Sequence, residues 1–221
     1  MKVYFLNGLG VDSRVFREID LPEHELVFLE WIPLSNGETM RSYAQKILAY
    51  YEIEQDSVLV GLSFGGMLAQ EIATLQRQKG IVIVSSSYGK RNFPWYLKLF
   101  LSTRLFFLLP DKTILRSNAF SRWLFGVHTQ EDIALLNELF GSMDPQQVRR
   151  MIQCIQTWRP ESVATQAYRI HGTQDHLLKI ADNVEYPIAE AGHFAVFTHA
   201  TAVSASLKSC LNEINKLPKN V

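Results

Sequence analysis

The sequence predicts an α/β fold built on a mostly parallel sheet, and three observations carry that prediction. Short β-rich runs alternate with longer helical patterns over the first sixty residues, which is the rhythm of strand, crossover helix and parallel strand. Two runs, Val58-Leu59-Val60 and Ile81-Val82-Ile83-Val84, are continuously apolar, as strands buried on both faces are. The same rhythm returns near residue 166, after a long stretch with helical spacing and no strand.

Taken in order, the elements are a strand at 3–6, a helix at 11–19 opened by Asp12, and a strand at 25–29. A helix at 38–51 follows, signposted by Ser35 with Glu38 three residues on, then a strand at 57–60. Beyond the 81–84 strand, helices are expected at 94–109, 112–125, 130–140 and 145–158. Thr129 with Asp132 and Asp144 with Pro145 mark the starts of the last two, since a side-chain oxygen there accepts an otherwise unpaired N–H and proline fits the first helical position. Strands at 166–170 and 183–187 and a helix at 194–217 complete the chain, with a frayed tail at 218–221. The expected division is a core of residues 1–91 and 161–221 and a helical insertion at 92–160.

Length and charge narrow the function. The 221 residues suit one domain with an insertion. Lys and Arg number 22 and so do Asp and Glu, so the formal charge is zero and no field draws the chain to phosphate backbones or anionic lipid. Nucleic acid is not an expected partner. Cys154 and Cys210 are too few for a disulfide framework; each reads as a small buried hydrophobe, and the sequence leaves a single bridge between them open. The apolar run 3–6 is too short for a signal peptide, and residues 93–109 are interrupted by Lys98, Ser102, Thr103 and Arg104, so a cytoplasmic protein without a membrane span is expected.

The sharpest motif is Gly61-Leu62-Ser63-Phe64-Gly65, with Gly66 behind it, between the 57–60 strand and a helical pattern. A nucleophile on such a turn is held in a strained conformation, and Gly61 and Gly65 let strand and helix approach without a Cβ clash. The bland alternative is an inert serine in a Gly-rich turn. A serine hydroxyl needs a base to take its proton, which directs attention to the histidines. His193 lies in Glu190-Ala191-Gly192-His193-Phe194, between the last strand and the last helix, with Gly192 free to aim the loop; His176, beside Asp175, is its rival. His24, His128, His171 and His199 have bland places in loops, at a strand end or inside a helix.

An imidazole in that role needs a carboxylate on its other nitrogen. Asp175, in His171-Gly172-Thr173-Gln174-Asp175, follows the returning strand; Asp182 and Glu190 are the fallback acids. Two backbone N–H groups are available for a developing oxyanion, those of Phe64 and of Leu9 in the turn Asn7-Gly8-Leu9-Gly10, although that turn also reads as an ordinary strand-to-helix connection.

Through these residues the chain resembles the α/β-hydrolase superfamily along its whole length. Asn7-Gly8-Leu9-Gly10 resembles the oxyanion loop, Gly61–Gly66 the nucleophile elbow, His171–Asp175 the acid loop and Gly192-His193-Phe194 the histidine loop. The resemblance implies Ser63, Asp175 and His193 as a triad and the insertion as a cap over the site. Many relatives carry histidine where Asn7 stands, so Asn7 is expected only to orient its loop. Residue 3 opens what resembles the family's third strand, which implies a compact six-stranded sheet. Relatives with dehalogenase or epoxide-hydrolase chemistry place aspartate at the elbow, and Ser63 argues against both.

The expected activity is hydrolysis of a carboxylic ester or thioester with no metal and no organic cofactor. Two alternatives stand: the same triad put to C–C bond hydrolysis or a lyase step, and a non-catalytic ligand-binding module on this fold. A metal site from His171, Asp175 and His176 is a distant further reading. The insertion's aromatics, Phe93, Trp95, Tyr96, Phe100, Phe106, Phe107, Trp123 and Phe125, suit either a pocket for an acyl chain or plain packing, and Ser85-Ser86-Ser87 reads as a polar turn at the carboxyl edge of the sheet.

Overall fold

The structure, a computed structural model, describes residues 1–89, 93–103, 105–108, 110–114, 116–160, 167–180 and 184–217. Asp182, the insertion's expected bounds at 91/92 and 160/161, the expected strand starts at 166 and 183 and the 218–221 tail lie outside the described residues.

Six strands form one sheet: β1 (Lys2–Leu6), β2 (Glu25–Leu29), β3 (Val58–Leu62), β4 (Gly80–Val84), β5 (Ala167–Gly172) and β6 (Tyr186–Ile188). Their order is β2-β1-β3-β4-β5-β6 and every neighbouring pair is parallel. Every residue of β3 and β4 is buried, as their unbroken apolar character requires. Side chains alternate between two cores. Val3, Phe5, Val60 and Val82 meet α6 (Gln130–Gly141), α8 (Ala195–Thr198) and α9 (Ala200–Lys216) through Leu136, Leu139, Val196, Leu207 and Leu211. Tyr4, Leu6, Leu59 and Ile81 meet α1 (Met40–Tyr51), α2 (Phe64–Leu75) and α7 (Pro145–Thr157) through Tyr43, Ile47, Leu68, Ile72, Met151 and Ile155. Each such large side chain contributes ~1.5–3 kcal/mol by leaving water.

Between β4 and β5 the described segments are helical: α3 (Trp95–Ser102), a 3-10 turn (Leu105–Leu108), α4 (Asp111–Ile114), α5 (Ala119–Phe125), α6 and α7. The last two are rooted in the cores, and Trp158, just past α7, donates its indole N–H to Glu71 of α2 at 2.7 Å. By contrast, α3 and α5 bury no residue fully. They form a thin layer across the carboxyl edge of the sheet.

Several expected helices are shorter than periodicity implies. The 11–19 segment is a single 3-10 turn, Ser13–Phe16; Asp12 caps it as expected, but the few residues before Pro22 and β2 leave no room to propagate a costly nucleus. The 94–109 stretch breaks where Thr103 turns extended (φ −91°, ψ 156°). The 112–125 stretch breaks at Asn118, whose side chain caps α5 by accepting from Ser121 N–H at 2.9 Å. The last helix breaks at His199 (φ −133°, ψ 39°). Thr39, not Ser35, caps α1 through a capping box with Ser42. Thr129 and Asp144 cap α6 and α7 as expected. Cys154 and Cys210 are buried free thiols, and burial pushes both up to about 12. Among the described residues no helix is long and apolar enough to cross a membrane.

Candidate active site

The strand order reverses direction between β1 and β3, and open parallel sheets bind ligands in the crevice beyond such a point, at the carboxyl ends of the strands. The loop after β1 carries Leu9 and the turn after β3 carries Ser63, so both open onto this crevice.

Ser63 has φ 51° and ψ −111°, a conformation that costs on the order of 1–3 kcal/mol for a side-chain-bearing residue. Its surroundings leave it no other. Its N–H donates to Val84 O at 2.9 Å; its carbonyl accepts from Gly66 N–H at 3.0 Å, Met67 N–H at 3.2 Å and the Ser86 hydroxyl at 2.6 Å. A Cβ on Gly61 would lie 2.3 Å from Gly65 O, and one on Gly65 would lie 2.3 Å from Leu6 O. Both glycines are therefore required for α2 to start directly above β3 and β1. Asn7, fully buried, anchors the neighbouring loop by donating its amide to Leu29 O at 2.9 Å, the orienting part expected of it.

His193 and Asp175 converge on Ser63 from the loops after β6 and β5. The His193 Nδ1–H donates to Asp175 Oδ2 at 2.8 Å, and Nε2 accepts from the Ser63 hydroxyl at 2.9 Å. The tautomer follows from the partners: a carboxylate can only accept, so the proton sits on Nδ1 and leaves Nε2 with a free lone pair toward the serine. Asp175 Oδ1 accepts from the Leu177 and Leu178 N–H groups, each at 2.8 Å. Burial alone would push the Asp175 carboxyl up; the positive charge available on His193 and the hydrogen bonds from His171 and His193 outweigh it and hold the carboxyl at about 2.

The other residues singled out from sequence lie elsewhere. Glu190 is exposed with φ 61°. The His176 ring stacks on Trp123 of α5, centroids 4.3 Å apart and planes 11° from parallel, and its carbonyl accepts from the Tyr96 hydroxyl of α3. Gly192 has no positive φ; its use is close approach, since a Cβ there would lie 2.5 Å from Gly126 Cα at the end of α5. Ser86 and Ser87 bond to backbone carbonyls, a polar turn that braces the Ser63 elbow. Among the described residues no group of three or more His, Cys, Asp or Glu could hold a metal ion.

Sequence reasoning misses His171. Its place at a strand end reads blandly, yet its Nε2 lies 3.0 Å from Asp175 Oδ2 and 2.7 Å from Leu178 O. The only signal is its position four residues before Asp175, and spacing across a turn gives no side-chain direction.

A cavity of about 360 Å³ opens beside Ser63 and His193. Its walls are almost wholly apolar, with Leu9, Met67, Leu97, Val148 and Ile152 among them. Of the eight insertion aromatics singled out from sequence, Phe93, Phe100, Phe106 and Phe125 face it, whereas Trp95 and Trp123 are exposed.

A family model described as the alpha/beta hydrolase family matches residues 3–206. The chain belongs to that family. Solved structures of similar fold include a thermophilic esterase from Thermogutta terrifontis, with 16% identity and a TM-score of 0.73, over 97% of this chain and 90% of that one. An N-acyl homoserine lactone degrading enzyme has 17% identity and a TM-score of 0.68, over 95% and 92%. An epoxide hydrolase has 16% identity and a TM-score of 0.65, over 94% and 90%. No curated protein matches the chain significantly. Likeness at these identities carries the fold alone, and the three neighbours are named for different substrates, so the hydrolase's substrate has to be argued from its own residues.

Proposed function

We propose that the chain is a serine hydrolase of carboxylic esters or thioesters. The carrying observation is the unbroken chain of contacts from Ser63 Oγ through His193 to Asp175, at 2.9 and 2.8 Å. In this reading Ser63 Oγ attacks the acyl carbon while its proton passes to His193 Nε2, and Asp175 orients the ring and stabilises the imidazolium. The oxyanion is received by two N–H groups. That of Phe64, at the first position of α2, has no intrahelical acceptor, and that of Leu9 borders the same cavity. Collapse of the intermediate expels an alkoxide or thiolate that takes the proton from His193. Water, activated by the same imidazole, then releases the acid and restores Ser63.

The cavity supports an apolar acyl group, with room for roughly a dozen non-hydrogen atoms at about 30 Å³ each, the share of a water in the liquid. We take residues 92–160 as a cap domain, with α3 and α5 lining the cavity and α6 and α7 as its roots, and residues 1–91 and 161–221 as the core. A small-molecule substrate and a cytoplasmic setting, in which two free thiols persist, complete the reading.

Intact-mass spectrometry after exposure to a fluorophosphonate tests it, because that probe reports an activated serine whatever the substrate. One adduct on the parent and none on Ser63→Ala is the expected result, with Ser63→Ala or His193→Ala costing on the order of 10⁴–10⁶ in turnover. A panel of esters, thioesters and C–C substrates then separates the reactions open to this triad. No adduct on either protein would favour a binding module.

A further inference from the structure

We propose that His171 is a positioning residue for this reaction: a second imidazole N–H, anchored on the Leu178 carbonyl and lying against Asp175 Oδ2, that fixes the carboxylate and shares the charge directed at His193. The inference rests on the serine-hydrolase reading above.

His171 ends β5 and is buried, as is Asp175. Its Nε2 faces two atoms, Asp175 Oδ2 at 3.0 Å and Leu178 O at 2.7 Å, and neither can donate. Nε2 must therefore carry a proton, which it donates to Leu178 O while lying close beside Oδ2. Asp175 accepts three hydrogen bonds, from the Leu177 and Leu178 N–H groups on Oδ1 and from His193 on Oδ2, and His171 Nε2 stands 3.0 Å from the same Oδ2 as a close electrostatic contact. With both oxygens engaged in this way, the carboxylate is held toward His193.

Leu178 O ties the same donor to the loop that supplies the two N–H groups, so His171 braces both carboxylate and loop. Two donors on one oxygen also compete. Whatever negative charge His171 draws is lost to the His193 imidazolium, so the second histidine tempers the base as well as placing the acid. The titratable groups facing Asp175 are His171 from β5, His193 from the loop before α8 and Tyr96 from α3, while the neighbouring His176 ring is turned onto Trp123.

The test is the pH dependence of the fluorophosphonate labelling rate in the parent, His171→Leu and His171→Gln, because the acid limb of that profile reports the free enzyme's essential base. His171→Leu removes the donor: the acid limb should move up by about 0.5–1 pH unit and the plateau rate fall about tenfold. His171→Gln can return an N–H to the same oxygen and should keep both close to the parent. An acid limb that stays put or moves down in His171→Leu overturns the proposal, and so does a Gln variant indistinguishable from Leu. If His171→Leu does not fold, NMR of the parent labelled with nitrogen-15 in histidine reads the contact directly: His171 protonated on Nδ1 alone would overturn it. A parent that takes no label removes the Ser63 reading and this inference together, whereas a labelled parent with unmoved variants removes only the His171 part.

Discussion

Asp175→Asn keeps the shape of the acid and removes its charge, and the geometry fixes which way the new amide must face. Suppose the amide oxygen turned toward the histidines. Its NH₂ would then meet the Leu177 and Leu178 N–H groups, which now sit 2.8 Å from Oδ1, and two buried donors would be stranded at ~1–3 kcal/mol each. Keeping the oxygen on those N–H groups leaves the NH₂ facing His193 Nδ1 and His171 Nε2. His193 can move its proton to the other nitrogen, His171 keeps its Nε2–H on the Leu178 carbonyl, and backbone amides can do neither, so this orientation wins.

His193 is then driven to the tautomer with its proton on Nε2, pointed at Ser63 and unable to accept. A base locked in the wrong tautomer by an Asp-to-Asn change in a serine triad costs about 10⁴ in kcat, or roughly 5.4 kcal/mol of transition-state stabilisation at 1.36 kcal/mol per decade. The labelling rate of Ser63 should fall by a similar factor while far-UV circular dichroism stays that of the parent. A loss below tenfold would refute the tautomer argument and detach Asp175 from the chemistry.

Three other outcomes follow from the same geometry. Gly65→Ala forces a Cβ to within 2.3 Å of the Leu6 carbonyl, a backbone atom that cannot yield cheaply, so stability in urea should drop by about 1–3 kcal/mol or more with loss of labelling; a silent variant would mean the elbow is not tight. Asp175, held at about 2 against an ordinary 3.8, adds stability that is present above the ordinary value and disappears as pH falls through about 2. The thermal-stability gap between the parent and Asp175→Asn should therefore persist from pH 7 to about 4 and close only below it; a gap already closed at pH 5 would contradict the depressed carboxyl. Ile152→Trp fills part of the cavity and should cut kcat/KM for a decanoyl ester by about tenfold or more while sparing an acetyl ester, and equal losses on both would remove the acyl chain from that cavity.

Features written in adjacent residues are legible in the sequence. The strands at 58–60 and 81–84 announce themselves because a strand covered on both faces has no polar position. The elbow is readable because a serine at φ 51° above two tight backbone crossings leaves a Gly-x-Ser-x-Gly trace. Helix lengths are less readable. Apolar spacing runs straight through Asn118 and His199, and whether such a residue caps, breaks or continues a helix depends on what its neighbours pack against.

Local stretches of chain are enough for the fold class, for the order of the elements, and for Ser63, Asp175 and His193 as candidates, since each of those residues sits on a turn whose signature survives without its partners. Their separations are set only when the sheet assembles. Assembly likewise joins His171 to Asp175, fastens Trp158 to Glu71, lays Trp123 over His176 and turns Phe100 and Phe106 inward while Trp95 faces out. A turn's conformation follows from the few residues that form it, whereas side-chain partners drawn from separate strands and helices are chosen by sheet order and packing, which no local stretch encodes.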